Sequence, residues 1–218
     1  MPRTRRAAAD NRNSLVIIGL VGGVGCGKST AARELESLGA LRIDADALAH
    51  EALCLPPVRK AVVRRFGPEV LGSHGEIDRS RLGPRAFAEP DGLRFLEELI
   101  HPVVGDWIRG RIARTRRTRS HELVVLDVPL LVESGLDAEC DAVVMIATRR
   151  ADRAHRTRRD RGWAADQAAR REQFQATLAE KTRHANFRLD NRGTRSELEA
   201  GVRRLLERVR RARRLGTI

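Results

Sequence analysis

The sequence predicts an α/β fold, a parallel five-stranded sheet between two layers of helices with a helical insertion and a helical lid. Three observations predict it. An apolar run, Leu15 to Val21, leads straight into Gly22-Gly-Val-Gly-Cys-Gly-Lys28-Ser29-Thr30 and then into helix-forming residues, so strand, glycine loop and helix arrive in that order. Further short apolar runs alternate with helical stretches down the chain. Aromatic residues make up only 3% of the 218 residues and tyrosine is absent, so the core is built from Leu, Val, Ile and Ala, which suits a parallel sheet sheltered by helices.

The glycine loop fits G-x-x-x-x-G-K-[ST], the loop that wraps a nucleotide's phosphates. Glycines let the backbone turn its N–H groups inward, and the following helix points its positive end at the anion. Gly25, Cys26, Gly27, Lys28, Ser29 and Thr30 are therefore the candidate ATP-binding residues. Lys28 supplies a mobile charge near the β and γ phosphates, and the Ser29 hydroxyl is left to ligate Mg²⁺.

Length allows one sizeable core with a small inserted subdomain. The formal charge is +13, almost all of it arginine, since Lys28, Lys60 and Lys181 are the only lysines. Such an excess fits solvated helix faces and basic ends, nucleic-acid binding, or attraction of an anionic small substrate. Cys26, Cys54 and Cys140 have neither disulfide nor zinc spacing, which points to a reducing cytoplasm. Residues 1–13 are Arg-rich without an apolar targeting core and read as a disordered tail. No apolar run approaches the roughly 18 residues that a membrane span needs.

In chain order, Leu15 to Leu20 forms the first strand and Lys28 to Leu38 the first helix, stopped by Gly39 in a left-handed conformation. Leu41-Arg-Ile43 is a second strand running into Asp44-Ala-Asp46. In an extended segment those carboxylates, two residues apart, face one site, whereas as helix caps they would serve the helix Ala47 to Leu53. Beside a phosphate loop, a carboxylate can accept an alcohol's proton or hold a metal. From residue 56 to 119 the pattern stays helical, with stripes Val58-Val62-Phe66, Leu93-Leu96-Ile100 and Val104-Ile108-Ile112. Gly67-Pro68, Gly83-Pro84 and His101-Pro102 punctuate it. So long an insertion reads as an acceptor-binding subdomain.

Leu123 to Asp127 is a third strand whose terminal aspartate has the shape of a Walker B metal-shell ligand. Pro129 ends it and puts Leu130 to Glu133 in a loop above the sheet. Asp141 to Ala147 is a fourth strand. A lid spans residues 149–175, with a first helix dense in arginine, a break at Gly162-Trp163 and a second helix from Ala164; its arginines would neutralise a transferring phosphoryl group. Phe187 to Asp190 is the fifth strand. Ser196-x-x-Glu199 reads as a capping box for the last helix, whose apolar face is Leu198, Val202, Leu205 and Val209, and residues 209–218 as a basic, frayed tail. Residues 14–208 thus form a single phosphate-loop domain.

Asn-Lys-x-Asp, which reads guanine, and Leu-Ser-Gly-Gly-Gln, the transporter ATPase signature, are both absent, leaving a three-layer phosphate-loop kinase fold with a small-molecule acceptor. Spacing and charge do not name that acceptor. The set Gly19 to Thr30, Leu38-Gly-Ala, Ile43-Asp-Ala-Asp46, His101-Pro102 and Val128-Pro-Leu-Leu-Val-Glu133 resembles the dephospho-CoA kinase family, and the resemblance runs over residues 14 to 208. Cys140-Asp141, Arg170 with Gln175, Glu180-Lys181 and Leu189-Asp-Asn191 extend it.

The resemblance implies ATP-dependent phosphorylation of the ribose 3′-hydroxyl of dephospho-CoA with Mg²⁺, the last step of coenzyme A synthesis. It implies Asp46 as the base, Lys28 as its catalytic partner, and Asp44, His101, Pro129, Leu130 and Glu133 as acceptor-binding residues. Ser29 and Asp127 would hold the metal, and Arg156 and Arg161 best fit the lid's arginine pair, although Arg158 and Arg159 are close in register. Cys26 stands where the family usually has serine, a position that contributes mainly backbone, and Asn186 replaces a common aspartate. A cytoplasmic monomer or weak homo-oligomer follows, without membrane or nucleic-acid partner. A related nucleoside or nucleotide kinase, or a nucleic-acid-binding ATPase, are the alternatives.

Overall fold

The computed structural model describes residues 15–162, 168, 172–173 and 175–218. In chain order its elements are β1 (Val16–Val21), α1 (Lys28–Ser37), β2 (Leu41–Asp44), α2 (Ala45–Leu53), α3 (Pro56–Phe66), α4 (Arg79–Ala88), α5 (Gly92–Thr118), β3 (Leu123–Asp127), β4 (Ala142–Ala147), α6 (Arg150–Arg161), α7 (Leu178–His184), β5 (Phe187–Asp190) and α8 (Arg195–Arg214). Short 3₁₀ turns cover Pro68–Val70 and Leu136–Glu139. The expected tail 1–13, the second lid helix from Ala164 and Arg170 lie outside the described residues.

The chain divides into two compact units, one of residues 1–43 with 112–218 and one of residues 44–111. The first carries the sheet, in the order β2-β3-β1-β4-β5. β1 is central and parallel to both neighbours, with Ile18 opposite Val125 and Leu20 opposite Val144. β1 and β3 are buried along their whole length, as strands covered on both faces must be. One face packs Val16, Ile18, Leu20, Val125, Val144 and Ile146 against Ala31, Ala32 and Leu35 of α1 and Leu198, Val202, Leu205 and Val209 of α8. Each fully buried Leu or Val there contributes about 1.5–3 kcal/mol.

α1 ends as its sequence predicts. Gly39 takes φ +94°, its N–H donates to Glu36 O and the N–H of Ala40 to Leu35 O, which together satisfy the helix's last carbonyls. α8 departs from expectation at both ends. Thr194, not Ser196, is its N-cap: the Thr194 side chain accepts from the Glu197 N–H, and Glu197 reaches back to the Thr194 N–H. The overlapping Ser196-x-x-Glu199 pattern falls two residues too late, inside the first turn, and Glu199 pairs instead with Arg195 at 2.9 Å. Nor does the helix fray at residue 209. It continues to Arg214, because Val209 is buried and Arg213 forms an ion pair with Asp141 at 2.8 Å, and Ile218 packs on the core beyond it.

The helical unit contains α2, α3, α4 and most of α5. Val58, Val62 and Phe66 are buried as their spacing predicts, with Phe66 edge-on to Phe95, ring centroids 5.8 Å apart. Gly67-Pro68 does end a helix, but Gly83-Pro84 and His101-Pro102 do not. Pro84 lies inside α4 and Pro102 inside the 27-residue α5. Each proline forfeits one intrahelical bond. The apolar faces around them, Leu82 with Ala86 and Ile100 with Val104, are buried and hold both helices intact.

Candidate active site

The phosphate loop leaves the C-terminal end of β1 and turns into α1. Gly25 and Gly27 have φ of +74° and +97°, values that L side chains rarely adopt, and a Cβ on Gly27 would lie 2.3 Å from the Asn191 amide nitrogen. Gly27 is the N-cap of α1 and offers no side chain to the helix's first N–H groups, and no acidic residue lies in the first turn. Those donors and the helix dipole are thus directed at an external anion. The Lys28 ammonium donates to the carbonyls of Gly22 at 2.8 Å and Gly23 at 3.3 Å, which tethers its charge to the loop.

Ser29 and Asp127 come together. Asp127, 5% exposed at the end of β3, accepts from Ser29 Oγ at 3.5 Å on one oxygen and from Arg42 Nη2 at 2.7 Å on the other. The arginine offsets the cost of a carboxylate buried so deeply. The pair fits Mg²⁺, a hard cation that takes one or two protein oxygens and completes its shell with phosphate and water. Among the described residues no group of three or more His, Cys, Asp and Glu could hold a metal by itself.

A cavity of about 700 Å³ opens from Gly25 to Thr30 along α6 to residues 191–195. Arg33, Arg156, Arg192 and Arg195 join Lys28 in its lining. Arg156 is anchored there by its bond to Asn191 O at 3.1 Å. A second cavity of about 550 Å³, beside β4 and β5, meets the phosphate loop only at Gly23. The side chain of Arg161 lies outside the described residues.

A polar chain centres on a buried lysine that feels the charge of Lys28 of the loop. Lys181, 1% exposed, is 3.3 Å from Glu133 and donates to Gln175 at 2.8 Å, while Glu133 also accepts the N–H of Ala176 at 2.5 Å. Burial pushes the Lys181 ammonium below the ordinary lysine range, the Glu133 carboxylate opposes that, and the charge of Lys28 adds to it. Glu133 thereby ties the β3 exit, with Pro129 and Leu130 in the preceding turn, to Ala176 and α7. On α6, Arg153 pairs with Glu172, whose carboxylate also accepts the Val24 N–H at 3.0 Å. Cys140 is inert by comparison, because burial and neighbouring Asp137 and Asp141 push its thiol up to about 12.

Asp44, Asp46 and His101 belong to the helical unit. Here strand geometry fails: α2 starts at Ala45, so Asp46 sits in its first turn, and two-residue alternation no longer places it beside Asp44. Asp44 caps α2, accepting from Asp46 N at 3.0 Å and Ala47 N at 3.2 Å. Asp46 is exposed, as is His101 on α5. Arg42, Thr148, Arg153 and Glu172 were not identifiable from sequence pattern, since each acts through a partner distant in the chain. Lys181 and Asn191 stand within the motifs of the resemblance, and a buried lysine in a chain with three is a signal in itself.

The fold and this loop define a phosphate-loop kinase of the three-layer α/β class. The family model described as dephospho-CoA kinase matches residues 16–197. The chain belongs to the dephospho-CoA kinase family. Among curated relatives, the dephospho-CoA kinase of Geobacter metallireducens is 41% identical over 86% of this chain and 94% of its own, and that of Thermobifida fusca 37% identical over 89% and 96%. A solved structure from Thermus thermophilus superposes with a TM-score of 0.71 at 31% identity, covering 89% of this chain and 98% of the other. The dephospho-CoA kinase of Campylobacter jejuni has the same fold at 22% identity, with a TM-score of 0.67 over 93% of this chain and 98% of its own.

Proposed function

We propose that this chain transfers the γ-phosphoryl group of ATP to the ribose 3′-hydroxyl of dephospho-CoA, giving coenzyme A and ADP. The observation that carries the reading is the uncapped N-terminus of α1, with Lys28 tethered to the loop and Ser29 facing Asp127, in a chain of this family. The α1 N–H groups and Lys28 bind the β and γ phosphates, and Arg156 with Arg161 of the lid neutralises charge that develops in transfer. Ser29 and Asp127 would hold Mg²⁺, which would supply charge neutralisation for the transferring phosphoryl group.

Asp46 accepts the 3′-hydroxyl proton as the new O–P bond forms and the bond from γ-phosphorus to the β–γ bridging oxygen breaks. Asp44 holds α2 so that Asp46 is presented in its first turn, and His101, Pro129, Leu130 and Glu133 serve the acceptor. Both substrates are soluble and polyanionic, which suits a cationic cleft and a cytoplasmic enzyme.

The test is an ADP-release assay with purified protein, ATP and Mg²⁺, offering dephospho-CoA, adenosine and nucleoside monophosphates in turn. Release dependent on dephospho-CoA alone is the expected result. Release with a nucleoside and none with dephospho-CoA would make this a different kinase. ATP hydrolysis stimulated by DNA or RNA, with binding steeply dependent on salt, would favour the nucleic-acid ATPase.

A further inference from the structure

The carbonyl of Cys26 is held by two donors remote in sequence. Asn191 Nδ2 donates to it at 2.8 Å and Thr148 Oγ1 at 3.0 Å. Asn191 is itself fixed: it is 5% exposed, its N–H donates to Ala147 O at 2.8 Å, and its carbonyl accepts from Arg156 of α6 at 3.1 Å. One residue therefore joins the end of β4, the turn after β5, the phosphate loop and the first lid helix.

The rigidity of the peptide unit gives this clamp a consequence. In a trans peptide the carbonyl of Cys26 and the N–H of Gly27 point in opposite directions, so pinning the oxygen aims the N–H. The unit needs pinning because its far side is glycine, with φ +97°, a residue that tolerates either sign of φ. Turned over, the same peptide would present a carbonyl oxygen where the loop has to present a donor. Two donors on one acceptor also leave both lone pairs of that oxygen satisfied.

We infer that Asn191 and Thr148 are positioning residues that lock the Cys26–Gly27 peptide in its phosphate-binding orientation, and that Asn191 sets Arg156 against the same lock. The inference rests on the nucleotide reading of the loop. It assigns Asn191 no contact with the substrate.

Titration of a fluorescent ADP analogue onto Asn191→Leu, Thr148→Val, Thr148→Ser and the Leu/Val double variant tests it, with thermal midpoints measured alongside. Each single loss is expected to raise Kd about fivefold. The double variant, which orphans the carbonyl, should raise it by more than the product of the two, and Thr148→Ser should keep wild-type affinity. In steady state the KM for ATP rises while that for dephospho-CoA stays within twofold. Lowered midpoints with unchanged ADP affinity would overturn the inference by making both residues purely structural. Should the double variant not fold, an Asn191→Leu protein that binds ADP as wild type does so equally. Wild-type protein that binds no ADP would overturn the nucleotide reading and the clamp with it.

Discussion

The sheet unit and the helical unit satisfy their polar groups over different distances along the chain. In the sheet unit the decisive bonds are remote: Asn191 and Thr148 reach Cys26 across 165 and 122 residues, and Arg42 reaches Asp127 across 85. In the helical unit many are local, with Asp44 and Asp78 capping the helices they begin and Arg94 pairing with Asp91 just before its helix and with Glu98 on it. A site built by remote bonds is rigid only when the whole fold is present, which suits the part that must hold phosphates without rearrangement. Locally satisfied helices depend less on the rest of the fold for their bonds, which suits the part proposed to bind the acceptor.

The largest expected effect follows from Lys28, whose charge only the sheet unit supplies. Lys28→Ala should lower kcat/KM for ATP about 10⁴-fold, combining lost phosphate binding with lost stabilisation of the transferring group. Steady-state assay together with ADP titration separates the two. A loss in KM alone would reduce Lys28 to ground-state binding.

Asp46→Asn is the counterpart in the helical unit. It should lower kcat about 10²-fold while ADP affinity stays within twofold, if the residue acts as proposed on the acceptor's proton. A near-normal rate would remove Asp46 as base, and weakened ADP binding would move it into the metal shell.

A smaller effect is expected from Lys181, whose ammonium burial holds below the ordinary lysine range. For a group depressed in this way, the unfolded chain binds the proton that the folded chain lacks, so its contribution to stability rises with pH as pH climbs from the folded value toward 10.5. Lys181→Met should flatten that rise on the alkaline side, below pH 10.5, measured as the difference in thermal midpoint from wild type. Parallel curves for the two proteins would show that Glu133 compensates the burial fully.

The phosphate loop was legible because its chemistry is carried by backbone conformation over nine adjacent residues, and glycine spacing writes that conformation into the sequence. The five strands were legible for a similar reason, as short apolar runs flanked by helices mark each one, whereas their order in the sheet came only with the structure. Asp44 and Asp46 were harder. Their pairing depended on whether residue 45 is extended or helical, and the capping bonds of Asp44 decided for the helix. Pro84 and Pro102 misled because a proline's local cost says nothing of the buried face that outweighs it. Thr148 carries no pattern at all, and the motif that contains Asn191 names no partner for it: one amide and one hydroxyl acquire meaning only when β4 and β5 bring them to Cys26.

The smallest effect tests whether a local rule operates inside the unit governed by remote bonds. The sequence Thr194-Arg-Ser-Glu-Leu-Glu199 contains two overlapping capping boxes, and α8 uses the first, Thr194 with Glu197. Thr194→Ala should therefore lower stability by about 1 kcal/mol in chemical denaturation, the usual cost of a lost N-cap. Ser196→Ala removes a poorer helix former from inside the first turn and should leave stability unchanged or raise it by a few tenths of a kcal/mol. The carboxylate adds a pH signature. Its bonds to the Thr194 N–H and hydroxyl hold Glu197 below the ordinary glutamate range, so that its contribution is present above about pH 4.5 and is lost as pH falls through its folded value. Thr194→Ala should blunt that acid loss and Ser196→Ala should not. The reverse pattern, with Ser196 carrying both the stability and the acid dependence, would return the start of α8 to the second box.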